Sequence, residues 1–256
     1  GDDSLFAASE DADAPDTGVD DSLFGGAGND SMFLLNVAEN AVGYGGEGDD
    51  VITTDSSIDV FGGEGDDSVF GNGTGMTAVL GAGNDTVVGS GSSEIYGGIG
   101  NDVVSGGELN DTIDGNSGED LLQGFAGDDT IIAVDSDSDT IVGGVGNDFI
   151  IIDQFDEVDV ADGADNVRAL INSPAGDIPT EDFAVINNFD PAEDALVISV
   201  LANEFNTDVE PTLSATEVDG QFRVSIDGAL LPILINSIDE SPADAISVFV
   251  RGGETT

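Results

Sequence analysis

Over its first 150 residues the chain alternates short apolar runs with turns rich in Gly and Asp. The runs Ser31-Met-Phe33, Val51-Ile-Thr53, Ser68-Val-Phe70 and Val103-Val-Ser105 are each only a few residues long. Each follows a turn of one pattern, namely Gly25-Gly-Ala-Gly-Asn-Asp30, Gly45-Gly-Glu-Gly-Asp-Asp50, Gly62-Gly-Glu-Gly-Asp-Asp67 and Gly97-Gly-Ile-Gly-Asn-Asp102. Looser copies stand at 80–85, 106–111, 115–120, 124–129 and 143–148. Short apolar runs punctuated by such turns predict short strands rather than helices.

The spacing sets the architecture. The sixth turn positions Asp30, Asp50, Asp67, Asp85, Asp102, Asp120 and Asp139 follow one another at intervals of 17–20 residues. A second series interleaves with them at Asp21, Asn40, Asp59, Met76, Glu94, Asp111, Asp129 and Asp148, with similar steps. Each coil is therefore strand, turn, strand, turn, with about 18 residues per coil, and coils stack as parallel strands. The expected fold class is all-β: a parallel β-roll solenoid over 1–152, then a β-rich C-terminal capping domain over 153–256. Right-handed winding is expected, as for nearly all parallel crossovers. An additional early coil is suggested by Asp3-Ser-Leu-Phe6, which returns 18 residues later as Asp21-Ser-Leu-Phe24.

The two series differ. The first keeps its Gly–Asp turns from Asp30 to Asp120, whereas the second lacks them near Asn40, Asp59, Met76 and Glu94. One edge lined by carboxylates is expected through the first half, and a second only from about Gly106 to Asp148.

These turns match the nonapeptide G-G-x-G-x-D-x-U-x, with U a large apolar residue. The chain thereby resembles the repeats-in-toxin (RTX, hemolysin-type) calcium-binding proteins, whose repeats form parallel β-rolls. The resemblance implies that each Ca²⁺ sits between neighbouring turns of one row, held by sixth-position carboxylates and by carbonyls of early turn positions. It makes Asp30, Asp50, Asp67, Asp85, Asp102 and Asp120 the carboxylate ligands of the first row, and Asp111, Asp129 and Asp148 those of the second. Carbonyl ligands would come from Gly25, Ala27, Gly45, Glu47, Gly62, Glu64, Gly97 and Ile99. Six turns enclose five gaps and three enclose two, so about seven Ca²⁺ ions are expected, with weaker sites near Asp21 and Asp139. Calcium chemistry suits these residues, because it takes six to eight oxygen ligands with flexible geometry, and Gly reaches the backbone angles that aim carbonyls at one point. The pattern departs from the family at Leu109, Asn116 and Phe125, each standing where the motif has Gly.

Composition narrows the function. The chain has 54 acidic residues against 3 basic ones, with no His and no Cys, and a formal charge of −51. Nucleic acid and anionic membrane surfaces would be repelled. Thiolate chemistry, the usual zinc sites and Ser–His–Asp catalysis are excluded. No apolar run is long enough to span a bilayer, so no membrane insertion is expected. Asp135-Ser-Asp-Ser-Asp139 lacks the Gly and Glu of an EF-hand loop.

The C-terminal residues change character. The run 221–235 alternates and turns at Asp227-Gly228, a hairpin signal. Pro179-Thr-Glu-Asp182 and Pro242-Ala-Asp244 can start short helices. The simplest role for this part is to cap the open end of the solenoid. The reading is a non-enzymatic, secreted calcium-binding β-roll that folds on meeting extracellular Ca²⁺ and acts in the matrix or at the cell surface. Export of an unfolded chain by bacterial type I machinery is what the resemblance implies, with an extracellular polysaccharide or cell-surface molecule as partner. The alternatives are an accessory module of a larger secreted enzyme, or an adhesin or ice-binding segment. The last needs a regular outward array, whereas Asn29, Asp49, Asp66, Asn84 and Asn101 are mixed.

Overall fold

Strands of three to six residues are too short to stand alone, and here those from Ser4–Ala8 to Asn166–Ile171 pair with strands one full coil away. A computed structural model describes residues 1–8, 22–37, 41–73, 75–171, 184–201, 213–218, 221–226, 229–237 and 245–251. From Ser4–Ala8 to Ala195–Leu201 successive strands alternate between two sheets, which among the described residues have thirteen and eleven strands. In the larger sheet Val51–Thr54 pairs in parallel with Ser31–Leu35 before it and Ser68–Gly71 after it. In the smaller, Asp59–Glu64 lies between Val42–Glu47 and Thr77–Ala82. The chain is thus an all-β parallel solenoid with a repeat of about 18 residues, as the spacing requires.

The core is the space between the sheets, and register fills it with ladders of like residues. In the larger sheet Met32, Ile52, Val69, Val87, Val104, Leu122, Ile141 and Val158 stand one behind another, all at most 1% exposed. Facing them are Val60, Ala78, Ile95, Ile113, Ile131, Ile150, Val167 and Leu196. Side chains alternate across a strand, so one apolar residue at the centre of each run suffices to make this core. Each ladder residue packs on the coils before and after it. Leu122→Ala should therefore leave a cavity that cannot collapse, costing about 2–5 kcal/mol. Denaturant unfolding of the calcium-loaded protein measures this; a loss well under 1 kcal/mol would mean the coils repack.

The Gly-rich code ends near Ile152, where the sequence places a boundary, yet both ladders continue. Glu157–Asp162, Asn166–Ile171, Ala184–Phe189 and Ala195–Leu201 join in parallel. Ala229–Ser237 and Ile246–Arg251 then join the two sheets, also in parallel. Val158, Val167, Ile186 and Leu196 supply inward apolar residues without the nonapeptide, and that is all a further coil needs. Antiparallel pairing enters only with Leu213–Val218, Gln221–Ile226 and Ala229–Ser237 among the described residues. The strands of the expected 221–235 hairpin are present, while Asp227, Gly228 and the helix starts at 179–182 and 242–244 lie outside the described residues.

Two details of register differ from the spacing argument. Asp3-Ser-Leu-Phe6 pairs with Asp30-Ser-Met-Phe33, with Phe6 opposite Phe33, whereas Leu23–Ala27 belongs to the other sheet. The 18-residue echo thus places the two copies on different faces. Asp59 and Glu94 open strands as exposed residues, and the turn positions in register with Asp111 are Ile58, Met76 and Ser93. Asp59 and Glu94 thus lie one residue past the buried turn position, and burial rather than charge decides that position.

Candidate metal sites along the two turn edges

The turns fall on two edges. On the first, which leads from the eleven-stranded sheet to the thirteen-stranded one, stand Asp30, Asp50, Asp67, Asp85, Asp102 and Asp120. All are buried, at 3% exposure or less. Each accepts, through Oδ1, a hydrogen bond from the backbone N–H of the preceding coil's aspartate. Asp30 donates to Asp50 at 2.7 Å, Asp50 to Asp67 at 2.8 Å, Asp67 to Asp85 at 2.7 Å, and Asp85 to Asp102 and Asp102 to Asp120 at 2.8 Å. The series runs on through Asp139 and Asp156, at 2.8 and 3.1 Å.

The second edge begins where the sequence places it. Ile58 and Met76 fill the early positions with apolar side chains. The N–H of Ser93 donates to Asp111 at 2.6 Å, that of Asp111 to Asp129 at 2.8 Å and that of Asp129 to Asp148 at 2.9 Å. Beyond the expected end, Asp148 donates to Asp165 at 2.8 Å and Asp165 to Asp194 at 2.9 Å.

One oxygen of each carboxylate is thus spoken for, and the other is not. Oδ2 of Asp30, Asp50, Asp67, Asp85, Asp102, Asp111, Asp120, Asp129, Asp148 and Asp165 is buried with no hydrogen-bond partner. An unsatisfied buried acceptor is costly, and a charged one more so. The first-position glycines bring a second acceptor to it. Oδ2 of Asp50 and the carbonyl oxygen of Gly62 both lie within 2.5 Å of the point a Cβ on Gly45 would occupy. At Gly25 the corresponding atoms are Asp30 Oδ2 at 2.6 Å and the Gly45 carbonyl at 2.5 Å. Gly62, Gly97 and Gly124 repeat the arrangement with the carbonyls of Leu80, Gly115 and Gly143. Oxygens gathered with no donor between them call for a cation.

Their electrostatics show the same need. Burial first, then the charges of neighbouring carboxylates, push Asp67, Asp102, Asp111 and Asp120 up to about 7 and Asp85 and Asp148 up to about 6. The backbone N–H bonds pull the other way without prevailing. Asp50 and Asp129 are raised for the same reasons.

The third-position carbonyls behave differently from the first. Those of Glu47, Glu64 and Ile99 accept the N–H of Gly28, Gly48 and Gly83 at 2.7, 2.7 and 2.9 Å, and that of Ala27 accepts the amine of Gly1. One lone pair of each is therefore committed and one remains. Gly48 itself has φ +115° and lies close beneath the Gly28 carbonyl, so no side chain fits at this fourth position. Where the motif loses its second Gly, Asn116 and Phe125 still adopt φ of 71° and 74°, and the turn is kept at a cost in strain.

The fifth position carries a role that the spacing did not reveal. Asn29, Asp49, Asp66, Asn84 and Asn101 each accept, through the side-chain oxygen, the N–H of the next coil's fifth residue at 2.7–3.1 Å. Asn110, Asp128 and Asn147 do the same on the second edge. The recurrence of Asn or Asp at this position in eight turns, with Glu119 the exception among the repeats, was the available signal.

The donor set is carboxylate and carbonyl oxygen throughout, which suits a hard cation such as Ca²⁺. No cluster of three or more acidic side chains able to hold a metal occurs among the described residues. The other acceptors in place are the backbone carbonyls beside Gly25, Gly45, Gly62, Gly97 and Gly124. A family model for the RTX calcium-binding nonapeptide repeat matches residues 18–35, 44–74, 81–113, 105–133 and 134–151. No curated protein matches the chain.

Proposed function

We propose that this chain, in which RTX calcium-binding nonapeptide repeats form the turns of a parallel solenoid, is a calcium-binding structural repeat protein that is secreted and folds on meeting extracellular calcium. In this reading the roll is non-enzymatic and presents a structural or interaction surface outside the cell, with the C-terminal strands capping its open end. The first-edge ligands are Asp30, Asp50, Asp67, Asp85, Asp102 and Asp120, and those of the second are Asp111, Asp129 and Asp148. The carbonyls of Gly25, Gly45, Gly62 and Gly97 contribute from the first turn position. Ala27, Glu47, Glu64 and Ile99 contribute the remaining lone pair of the third. Two consecutive turns that both keep an unpartnered Oδ2 bracket one gap, which supports about seven ions among these residues.

The observation that carries the reading is the row of buried, unpartnered Oδ2 atoms. Isothermal titration of calcium into metal-stripped protein, followed in parallel by far-UV circular dichroism, tests it. Cooperative uptake of several ions with a gain of β-structure is expected. Uptake of only one or two ions by a chain already folded would make the turns mere scaffolding.

A single glycine tests the geometry. Gly45 has no positive φ, so Gly45→Ala carries no backbone strain, yet its Cβ would displace Asp50 Oδ2 and the Gly62 carbonyl. It should weaken one site at least tenfold in the calcium titration while the far-UV spectrum of the saturated protein is kept. Unchanged affinity would move the ion elsewhere.

A further inference from the structure

The matched repeats end at residue 151, but the second edge carries on. The segment Val160-Ala-Asp-Gly-Ala-Asp165 keeps only the fourth Gly and the sixth Asp of the motif. Its backbone nevertheless copies a repeat turn. Ala161 takes φ 61° where Gly normally stands, and Gly163 has φ 152°. The Asp162 carbonyl accepts from Gly146 N–H at 3.0 Å, and Asn147 accepts from Ala164 N–H at 3.1 Å, the same bonds made between the turns 124–129 and 143–148. Asp165 is 1% exposed; its Oδ1 accepts from Asp148 N–H, and its Oδ2 is buried without a partner, as is Oδ2 of Asp148. Between them, the point where a Cβ on Gly143 would sit lies 2.5 Å from Asp148 Oδ2 and 3.3 Å from the Val160 carbonyl oxygen.

We propose that the turns 143–148 and 160–165 hold one further Ca²⁺, bounded by Asp148 and Asp165, and that Asp194 closes the row behind it. The proposal rests on the calcium reading above. Asp194 differs from the other members in having both oxygens bonded, Oδ1 by Asp165 N–H at 2.9 Å and Oδ2 by Asp190 N–H at 2.7 Å. The first edge ends alike, since Asp156 accepts from Asp139 N–H at 3.1 Å and from Asp153 N–H at 2.8 Å. An aspartate whose own turn supplies the second hydrogen bond has no oxygen left that needs a metal. Each row is thus finished by replacing a cation with a backbone N–H. The wider carbonyl approach at Gly143, 3.3 Å against 2.5 Å at Gly124, makes this gap the looser one.

Native mass spectrometry of the full, calcium-saturated chain reads the ion count directly. Asp165→Asn should carry one ion fewer than the parent, and Asp194→Asn the same number. Gly143→Ala, whose Cβ would crowd Asp148 Oδ2 while leaving Asp165 unaltered, should also lose one ion and serves if Asp165→Asn does not fold. Parent counts in both Asp165→Asn and Gly143→Ala would overturn the site while leaving the repeat sites standing. A lost ion in Asp194→Asn would overturn the closure. A parent chain without stoichiometric calcium would instead sink the underlying reading.

Discussion

Removal of calcium at neutral pH is expected to cost the chain most of its β-structure. Among the described residues ten aspartates are buried with an unpartnered oxygen, spaced one coil apart along two edges, in a chain with 54 acidic residues and 3 basic ones. Without a cation each coil must confine its charges beside those of its neighbours and also order glycines that lose more conformational freedom than any other residue. The magnitudes favour unfolding. A site held at a hundred times its dissociation constant contributes about 2.7 kcal/mol, so seven contribute roughly 19 kcal/mol. That exceeds the net stability of about 5–15 kcal/mol typical of a whole domain. Binding free energy is then folding free energy. Far-UV circular dichroism of stripped protein, with and without millimolar calcium, checks this; a stripped chain that keeps the full strand signal overturns it.

Acid is expected to do part of what calcium does. In the metal-free fold, burial and like-charged neighbours hold Asp67, Asp102, Asp111, Asp120, Asp139 and Asp165 up at about 7, Asp85 and Asp148 at about 6, and Asp156 at about 8, from an ordinary 3.8. A carboxyl raised on folding binds its proton more tightly in the folded chain. Its contribution is complete below about 3.8 and disappears as pH rises through about 6–8. The stripped chain should therefore gain β-structure as pH falls from 8 toward 5. Bound calcium competes with protons for the same oxygens, so the loaded chain should hold its carboxylates ionised to lower pH than the stripped one. Circular dichroism of resin-stripped protein across this range, in the absence of chelator, is the measurement. Further loss of structure on acidification would contradict the assigned burial.

The sequence made the repeat, its sheets and most of the carboxylate rows legible, since a turn recurring every coil fixes both spacing and facing. Asp111, Asp129 and Asp148 share one edge, as their Gly–Asp turns and their spacing together imply. The coils after Ile152 were not legible, because Val158 and Val167 continue the core with ordinary apolar residues and no turn signature. Asp165 was missed since Val160 and Ala161 stand in place of two glycines, and the turn shows itself in the backbone angle of Ala161 and in the bonds to the coil before it. Asp59 and Glu94 were misplaced by one residue for the opposite reason: an acidic side chain was present, but on an exposed strand position beside the turn. Charge is visible in a sequence; which atom it satisfies is visible only in register.

The stitching between coils also runs both ways. Sixth-position carboxylates reach back to the previous coil, and fifth-position Asn and Asp receive the next one. A coil removed whole would leave the same bonds available across the join, whereas a cut of nine residues would carry each first-edge turn onto the second edge. The molecule's length is therefore quantised in coils, each adding about 4.8 Å along the stack. Such a body is a ruler whose gradations are written in 18-residue steps, and lineages or designs that vary its span should do so by whole gradations.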